Sequence, residues 1–143
     1  MRIGRNFKRK TTPSPTSALK EATRAIKRDR PLFVALAGNP NSGKTTLFNA
    51  LTGGRQKTGN YAGVTVERKE GTFHTAEGKQ IHAIDLPGLY SLSADSPEER
   101  IALEVLTGAR PDTRKPDLAV LVVDASNLER NLYLAIQVKE TGT

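Results

Sequence analysis

The chain has 143 residues, with 36% hydrophobic and only 5% aromatic content, enough for one domain with an aliphatic core and too short for two. It holds no cysteine, which excludes a disulfide scaffold and a thiolate metal site, and its apolar runs fall far short of the roughly 20 residues of a membrane-spanning helix. The net charge of +7 is unevenly placed: residues 1–30 carry ten Lys/Arg against two Asp/Glu, whereas residues 31–143 carry twelve against thirteen. The excess therefore sits in a leader, and the rest of the chain is close to neutral, so the basic balance says little about what the domain binds.

In chain order, residues 1–30 read as a basic leader without the apolar block of a secretory signal. Its Thr-Thr-Pro-Ser-Pro stretch favours disorder, and Leu19, Ala22 and Ile26 could line a short helix from Ser17 to Arg28. Such a segment either stays solvated or lies on an anionic membrane surface. Order is expected from Pro31, with a buried strand Leu32–Ala37 ending at Gly38 and a helix from Gly43 to about Leu51 that Gly53-Gly54 stops. A polar loop, Arg55 to Val64, leads into a strand around Thr65 to Thr75. Glu77-Gly78-Lys79 reads as a hairpin turn into a strand from Gln80 to Leu86.

Asp95-Ser96-Pro97-Glu98-Glu99 carries an N-cap, a first-turn proline and early acids, so a helix should run from there to about Thr107. After a loop from Pro111 to Pro116, Leu118–Val123 reads as a second buried strand of a sheet covered on both faces, and a last helix runs from about Asn127 to near Gly142. The order β-α-β-β-α-β-α argues an α/β fold, a mostly parallel sheet flanked by helices with one antiparallel partner.

Gly38-Asn39-Pro40-Asn41-Ser42-Gly43-Lys44-Thr45 matches G-x-x-x-x-G-K-[ST] at every fixed position, between a strand and a helix. The glycines let the backbone curl so that successive N–H groups surround phosphate oxygens, and the helix N-terminus adds its partial positive charge. Lys44 can then reach the β- and γ-phosphates, and Thr45, followed by Thr46 in the first turn, can offer a hydroxyl to Mg²⁺. Pro40 stiffens the loop.

Asp85-Leu86-Pro87-Gly88 stands at the end of a predicted strand, where Asp85 can hold Mg²⁺ through water and the Gly88 N–H can bond a γ-phosphate. Between the two motifs, Gly63-Val64-Thr65-Val66-Glu67 lies in a loop that could close over a nucleotide, with Thr65 as a second candidate hydroxyl for Mg²⁺. Leu89 takes the slot that holds a water-orienting glutamine in Ras-type proteins, and a leucine cannot orient water by hydrogen bonding. His74 and His82 read as ordinary strand residues rather than an iron site.

Four runs together, Gly38 to Asn49, Gly59 to Glu67, Asp85 to Leu92 and Asp124 to Leu134, resemble the cytoplasmic G domain of the ferrous iron transport protein B (FeoB) family of bacteria and archaea. The resemblance covers residues 31–143 and leaves out the leader. It implies a P-loop GTPase fold and hydrolysis of GTP to GDP and phosphate, with Lys44, Asn41, Thr65 and Gly88 at the reacting phosphate. Thr45, Thr65 and Asp85 would hold Mg²⁺. It also implies K⁺ held by Asn41, where its charge could offset what Leu89 cannot supply.

The partners implied are GTP or GDP and a membrane transport domain of the same polypeptide, at the cytoplasmic face of the cell membrane, with no nucleic acid. The guanine-reading Asn-x-x-Asp element, a later Ser-Ala-type loop, a helical spacer and the membrane domain are expected beyond Thr143. A segment without them is expected to leave a sheet edge and a helix face uncovered, to be marginally stable, and to bind nucleotide poorly. Two competing readings are a ribosome- or RNA-associated GTPase using the leader as an RNA arm, and a non-catalytic nucleotide-gated module, which Leu89 permits. Against the first, the chain has Gly-Val-Thr-Val and Asp-Leu-Pro-Gly where such relatives tend to show Pro-Gly-Thr-Thr and Asp-Thr-Pro-Gly.

Overall fold

The computed structural model describes residues 30–143 together with Thr16, so the helix expected from Ser17 to Arg28 lies outside the described residues. Five strands form one sheet in the order β2-β3-β4-β1-β5, with β1 Leu32–Gly38, β2 Gln56–Asn60, β3 Glu67–His74, β4 Gln80–Asp85 and β5 Leu118–Val122. Helices α1 Lys44–Thr52, α2 Pro97–Thr107 and α3 Leu128–Glu140 flank it, and a short 3₁₀ turn, Ala125–Asn127, precedes α3. β1 pairs in parallel with both β4 and β5, and β3 runs antiparallel to its neighbours β2 and β4.

Alternation along β1 sorts the core onto two sides of the sheet. Phe33, Ala35 and Ala37, with Ile84, pack against Ile101, Ala102, Val105 and Leu106 of α2 and Leu134 and Val138 of α3. Leu32, Val34 and Leu36, with Ile81 and Ala83, pack on Phe48 of α1. β1 is therefore buried along its whole length. α2 starts where its sequence signals say: the Ser96 side chain accepts from the Glu99 N–H at 3.1 Å, Pro97 opens the first turn, and the Glu99 carboxylate accepts in return from the Asp95 N–H at 3.1 Å.

Two expectations change. Residues 56–60 form an edge strand rather than part of a loop, pairing Gln56–Asn60 with Gly71–Glu67. The segment is polar and nearly all exposed, so it carries no hydrophobic periodicity, and its partner β3 supplies the order. The second change concerns β5, which is the other edge of the sheet and is not covered on both faces. Leu118 is 43% exposed and Val120 36%. α3 likewise exposes Leu128, Leu132, Tyr133 and Ile136, so the uncovered edge and helix face expected from the sequence are present.

The turn joining β2 to β3 is anchored by Tyr61, which is 1% exposed and among the largest fully buried side chains. Its N–H donates to the Val66 carbonyl at 3.0 Å, and the guanidinium groups of Arg68 and Arg110 lie over its ring, 5.5 and 5.1 Å from the ring centre. The phenol oxygen is buried and has no hydrogen-bond partner among the described residues. Burial pushes this phenol well above its ordinary value of about 10, the neighbouring guanidiniums pulling it back only in part.

The native state thus keeps a proton that the unfolded chain releases above about pH 10, and stability falls as pH rises past that point. Tyr61→Phe keeps the ring and removes the unpaired hydroxyl. It is expected to stabilise the chain by about 1 kcal/mol and to flatten that alkaline loss, both read from urea midpoints at pH 7 and above 10. Destabilisation at pH 7 would contradict this account.

Candidate functional site

The turn from β1 into α1 is built for close approach. Gly38 pairs with Val122 and accepts from the Leu89 N–H at 3.0 Å, and a Cβ there would stand 2.7 Å from the Val122 oxygen and 2.8 Å from Ser42 Oγ. Asn41 and Gly43 have φ of +63° and +91°, and this left-handed turn swings the chain into α1. Gly43 caps α1 without any side-chain hydrogen bond, and the first turn of the helix carries no acid, so its leading N–H groups are left for an anion.

An open cavity of about 380 Å³ follows, lined by Asn39, Pro40, Asn41, Gly43, Lys44, Thr45, Thr46 and Gly88. All eight lie in the set read from the sequence.

Beside this cavity Lys44, one of its lining residues, pairs through Nζ with Asp85 Oδ1, with the two side chains 7% and 5% exposed. Thr45 Oγ1 donates to Asp85 Oδ2 at 3.3 Å. The register that lays β4 beside β1 brings Asp85 opposite Leu36, two residues before the phosphate loop opens, and so joins motifs forty residues apart. Gly88 closes the other wall, where a Cβ would stand 3.1 Å from both Cα and Cγ of Pro40. Beneath the loop, Asn39 Oδ1 and Ser42 Oγ are buried and have no hydrogen-bond partner among the described residues.

The remaining candidates lie elsewhere. Gly63, Val64 and Thr65 are exposed on the turn between β2 and β3, and Thr65 is not among the residues lining the cavity. Val66 is buried beneath that turn, Glu67 opens β3, Leu86 is in the core, and Pro87 is partly covered. Leu89 is 1% exposed and packs in the main core, so it faces the protein interior and not the phosphate cavity. His82 Nδ1 lies 3.3 Å from Thr72 Oγ1 on the neighbouring strand, and among the described residues no three His, Cys, Asp or Glu cluster as a metal site. No helix of the described residues is long and apolar enough to cross a membrane.

A family profile described as ferrous iron transport protein B matches residues 32–143. The chain belongs to this family.

Among FeoB proteins it is 57% identical over 116 residues to the Fe(2+) transporter FeoB of Escherichia coli K12 and to that of Salmonella typhimurium LT2; in each case the match spans 78% of this chain and 14% of the relative. The chain thus spans about one seventh of the length of the transporters it matches. The G domain of the T. maritima FeoB iron transporter superposes with a TM-score of 0.70 at 50% identity, over 78% of this chain and 67% of that one. A point mutant of S. thermophilus NFeoB bound to mGDP gives 0.67 at 50% identity, over 79% of this chain and 41% of that one. The fold is accordingly that of FeoB G domains, a mixed α/β P-loop architecture.

Sequence reading missed two groups. Asp124, Asn127 and Asn131 act as a joint between β5 and α3: Asp124 Oδ1 accepts from the Ser126 N–H at 2.9 Å, Asn131 Oδ1 from the Asp124 N–H at 3.2 Å, and Asn131 Nδ2 donates to the Asn127 carbonyl at 2.7 Å. The run Asp124 to Leu134 therefore owes part of its pattern to capping. The second group is Tyr61, Arg68, Arg110 and Asp112, which the chain separates by up to 51 residues and only the fold assembles.

Proposed function

We propose that this chain binds GTP with Mg²⁺ and hydrolyses it to GDP and phosphate, as the nucleotide-handling segment of a membrane Fe²⁺ transporter. The observation that carries this reading is the buried Lys44–Asp85 pair, with the Thr45 hydroxyl on the same carboxylate, beside an open cavity lined by Lys44, Thr45 and the turn before α1. Hard oxygen donors from Thr45 and Asp85 side by side suit Mg²⁺ rather than a softer metal, and Thr65 would add a third oxygen if its turn closed. Bound there, Mg²⁺ would neutralise charge on the β- and γ-oxygens.

The chain's own part is positioning. N–H groups of Asn41 and of Gly43 to Thr46 surround the phosphates, and Lys44 exchanges its contact with Asp85 for the β- and γ-oxygens. The Gly88 N–H bonds the γ-phosphate, and the Gly63–Glu67 segment covers the nucleotide. Asn41 lines the cavity with an exposed side chain whose amide oxygen suits K⁺ beside the phosphates.

Guanine selectivity and coupling to a membrane domain at the cytoplasmic face rest on the family, as does the reading that Fe²⁺ is the cargo. Phosphate release from GTP should rise in K⁺ over Na⁺ at equal ionic strength. Asn41→Ala is expected to abolish that K⁺ response, changing the K⁺/Na⁺ ratio by about tenfold or more. Turnover in neither salt by a stably folded chain overturns the enzyme reading, and an unchanged ratio removes Asn41 from it.

A further inference from the structure

The turn that carries Thr65 is held from outside the sheet. Arg110, on the loop between α2 and β5, donates through Nη2 to the Ala62 carbonyl at 2.9 Å and covers one face of the Tyr61 ring. Asp112 Oδ2 accepts from the Ala62 N–H at 3.2 Å, and its Oδ1 lies 2.9 Å from Arg110 Nε. Arg68, which also lies over the ring, donates to the Asp112 carbonyl at 3.2 Å. Both backbone groups of Ala62 are thus occupied by one neighbouring loop, and Val66 is buried at the far end of the turn.

Gly63, Val64 and Thr65 lie between these two fixed points, exposed, with the Val64 N–H donating to the Tyr61 carbonyl at 3.3 Å, and none of the three lines the phosphate cavity. Three residues reach about 10 Å when fully extended, and far less in a turn whose ends are pinned. Asp112 is well suited to hold on. Although burial works against its charge, hydrogen bonds from Thr113 and the Ala62 N–H and the guanidiniums of Arg110 and Arg68 keep its carboxyl below the usual range.

We propose that Arg110 and Asp112 are positioning residues that clasp the 61–66 turn through Tyr61 and Ala62 and hold Thr65 out of the phosphate cavity. A ligand that needs Thr65 must then work against the clasp, whereas one that does not is indifferent to it. Resting on the nucleotide reading above, this assigns the α2–β5 loop control over preference between GTP and GDP, because only GTP carries the γ-phosphate that the closed turn would meet.

The chain has no tryptophan, so Val64→Trp gives a single reporter on the turn. In the whole nucleotide-free chain, time-resolved anisotropy should show an ordered reporter. Arg110→Lys and Asp112→Ala should each add a fast nanosecond decay, with far-UV circular dichroism unchanged. Lysine keeps the charge but cannot both bond Ala62 and cover the Tyr61 ring. The two variants fail independently, so one folded variant suffices, and unchanged anisotropy in it overturns the clasp.

Without the reporter, Arg110→Lys should tighten binding of a non-hydrolysable GTP analogue by about fivefold and leave GDP unchanged. Equal changes for both nucleotides would mean that the clasp does not control the preference. If the parent chain binds neither nucleotide, the nucleotide reading and the control drawn from it both fall, while the anisotropy still decides the clasp itself.

Discussion

Lys44→Ala is expected to lower the stability of the nucleotide-free chain by about 2–4 kcal/mol, in addition to removing phosphate affinity. The reason is the state of Asp85 once its partner is gone. Its side chain is 5% exposed, and in the parent it is held by the ammonium of Lys44 and, more weakly, by the Thr45 hydroxyl at 3.3 Å. Truncating the lysine leaves a buried carboxylate with one neutral donor, and a buried charge without its partner costs free energy. Because the cavity is open, water can reach the site, which places the expected loss toward the lower half of what broken buried pairs cost.

Asp85→Asn should also destabilise, by stranding Lys44, whereas Lys44→Ala combined with Asp85→Asn should lose less than the two single changes added together. Urea midpoints for the three proteins at pH 7 check this. Additive losses would show that the pair is not coupled. The same experiment bears on the proposed function, in which Lys44 exchanges Asp85 for a phosphate: the coupling it measures is what that phosphate contact would have to offset.

Gly38→Ala should be the most damaging single methyl in the phosphate loop, with a loss of about 2–3 kcal/mol. The added Cβ would meet the Val122 carbonyl at 2.7 Å and Ser42 Oγ at 2.8 Å, and the first of these is backbone in the paired strand. Either β5 moves away from β1 or the loop is displaced, and the second response shifts the amides that would face a phosphate. Gly43→Ala is the informative comparison. No atom stands within 4 Å of its added Cβ, so its cost comes from holding an L-residue at φ of +91° and should be about 1 kcal/mol. Gly38→Ala made together with Ser42→Ala should regain only part of the loss, since the Val122 contact remains. Full recovery would locate the strain in the serine and not in the strand pairing. Denaturant unfolding separates these outcomes, and nucleotide titration of the folded variants shows which response occurred.

The phosphate loop was legible because its chemistry is local. Gly38, Gly43, Lys44 and Thr45 must be near one another along the chain for a strand-to-helix turn to surround an anion, and that requirement fixes their spacing. The helix start at Ser96-Pro97 was legible for the same reason: capping is settled within one turn. β1 announced itself by an unbroken apolar run, which only a strand buried along its whole length needs. Beyond these local rules, the sequence by itself determined the family and the order of nearly all the elements.

Other features depended on partners that a local pattern does not contain. β2 has no apolar periodicity and exists as a strand because β3 offers it a ladder of hydrogen bonds. β5 reads as buried from its composition but is an edge, since a run of aliphatic residues does not say what lies beside it. Leu89, named from its place after Asp85-Leu86-Pro87-Gly88, turns into the core because the chain there is already tied to Gly38. The cluster of Tyr61, Arg68, Arg110 and Asp112 joins three segments whose residues carry no shared spacing. Where a contact closes within a turn, sequence order and spatial order coincide; where it closes across the sheet, register and packing decide it, and only the tertiary structure holds that information.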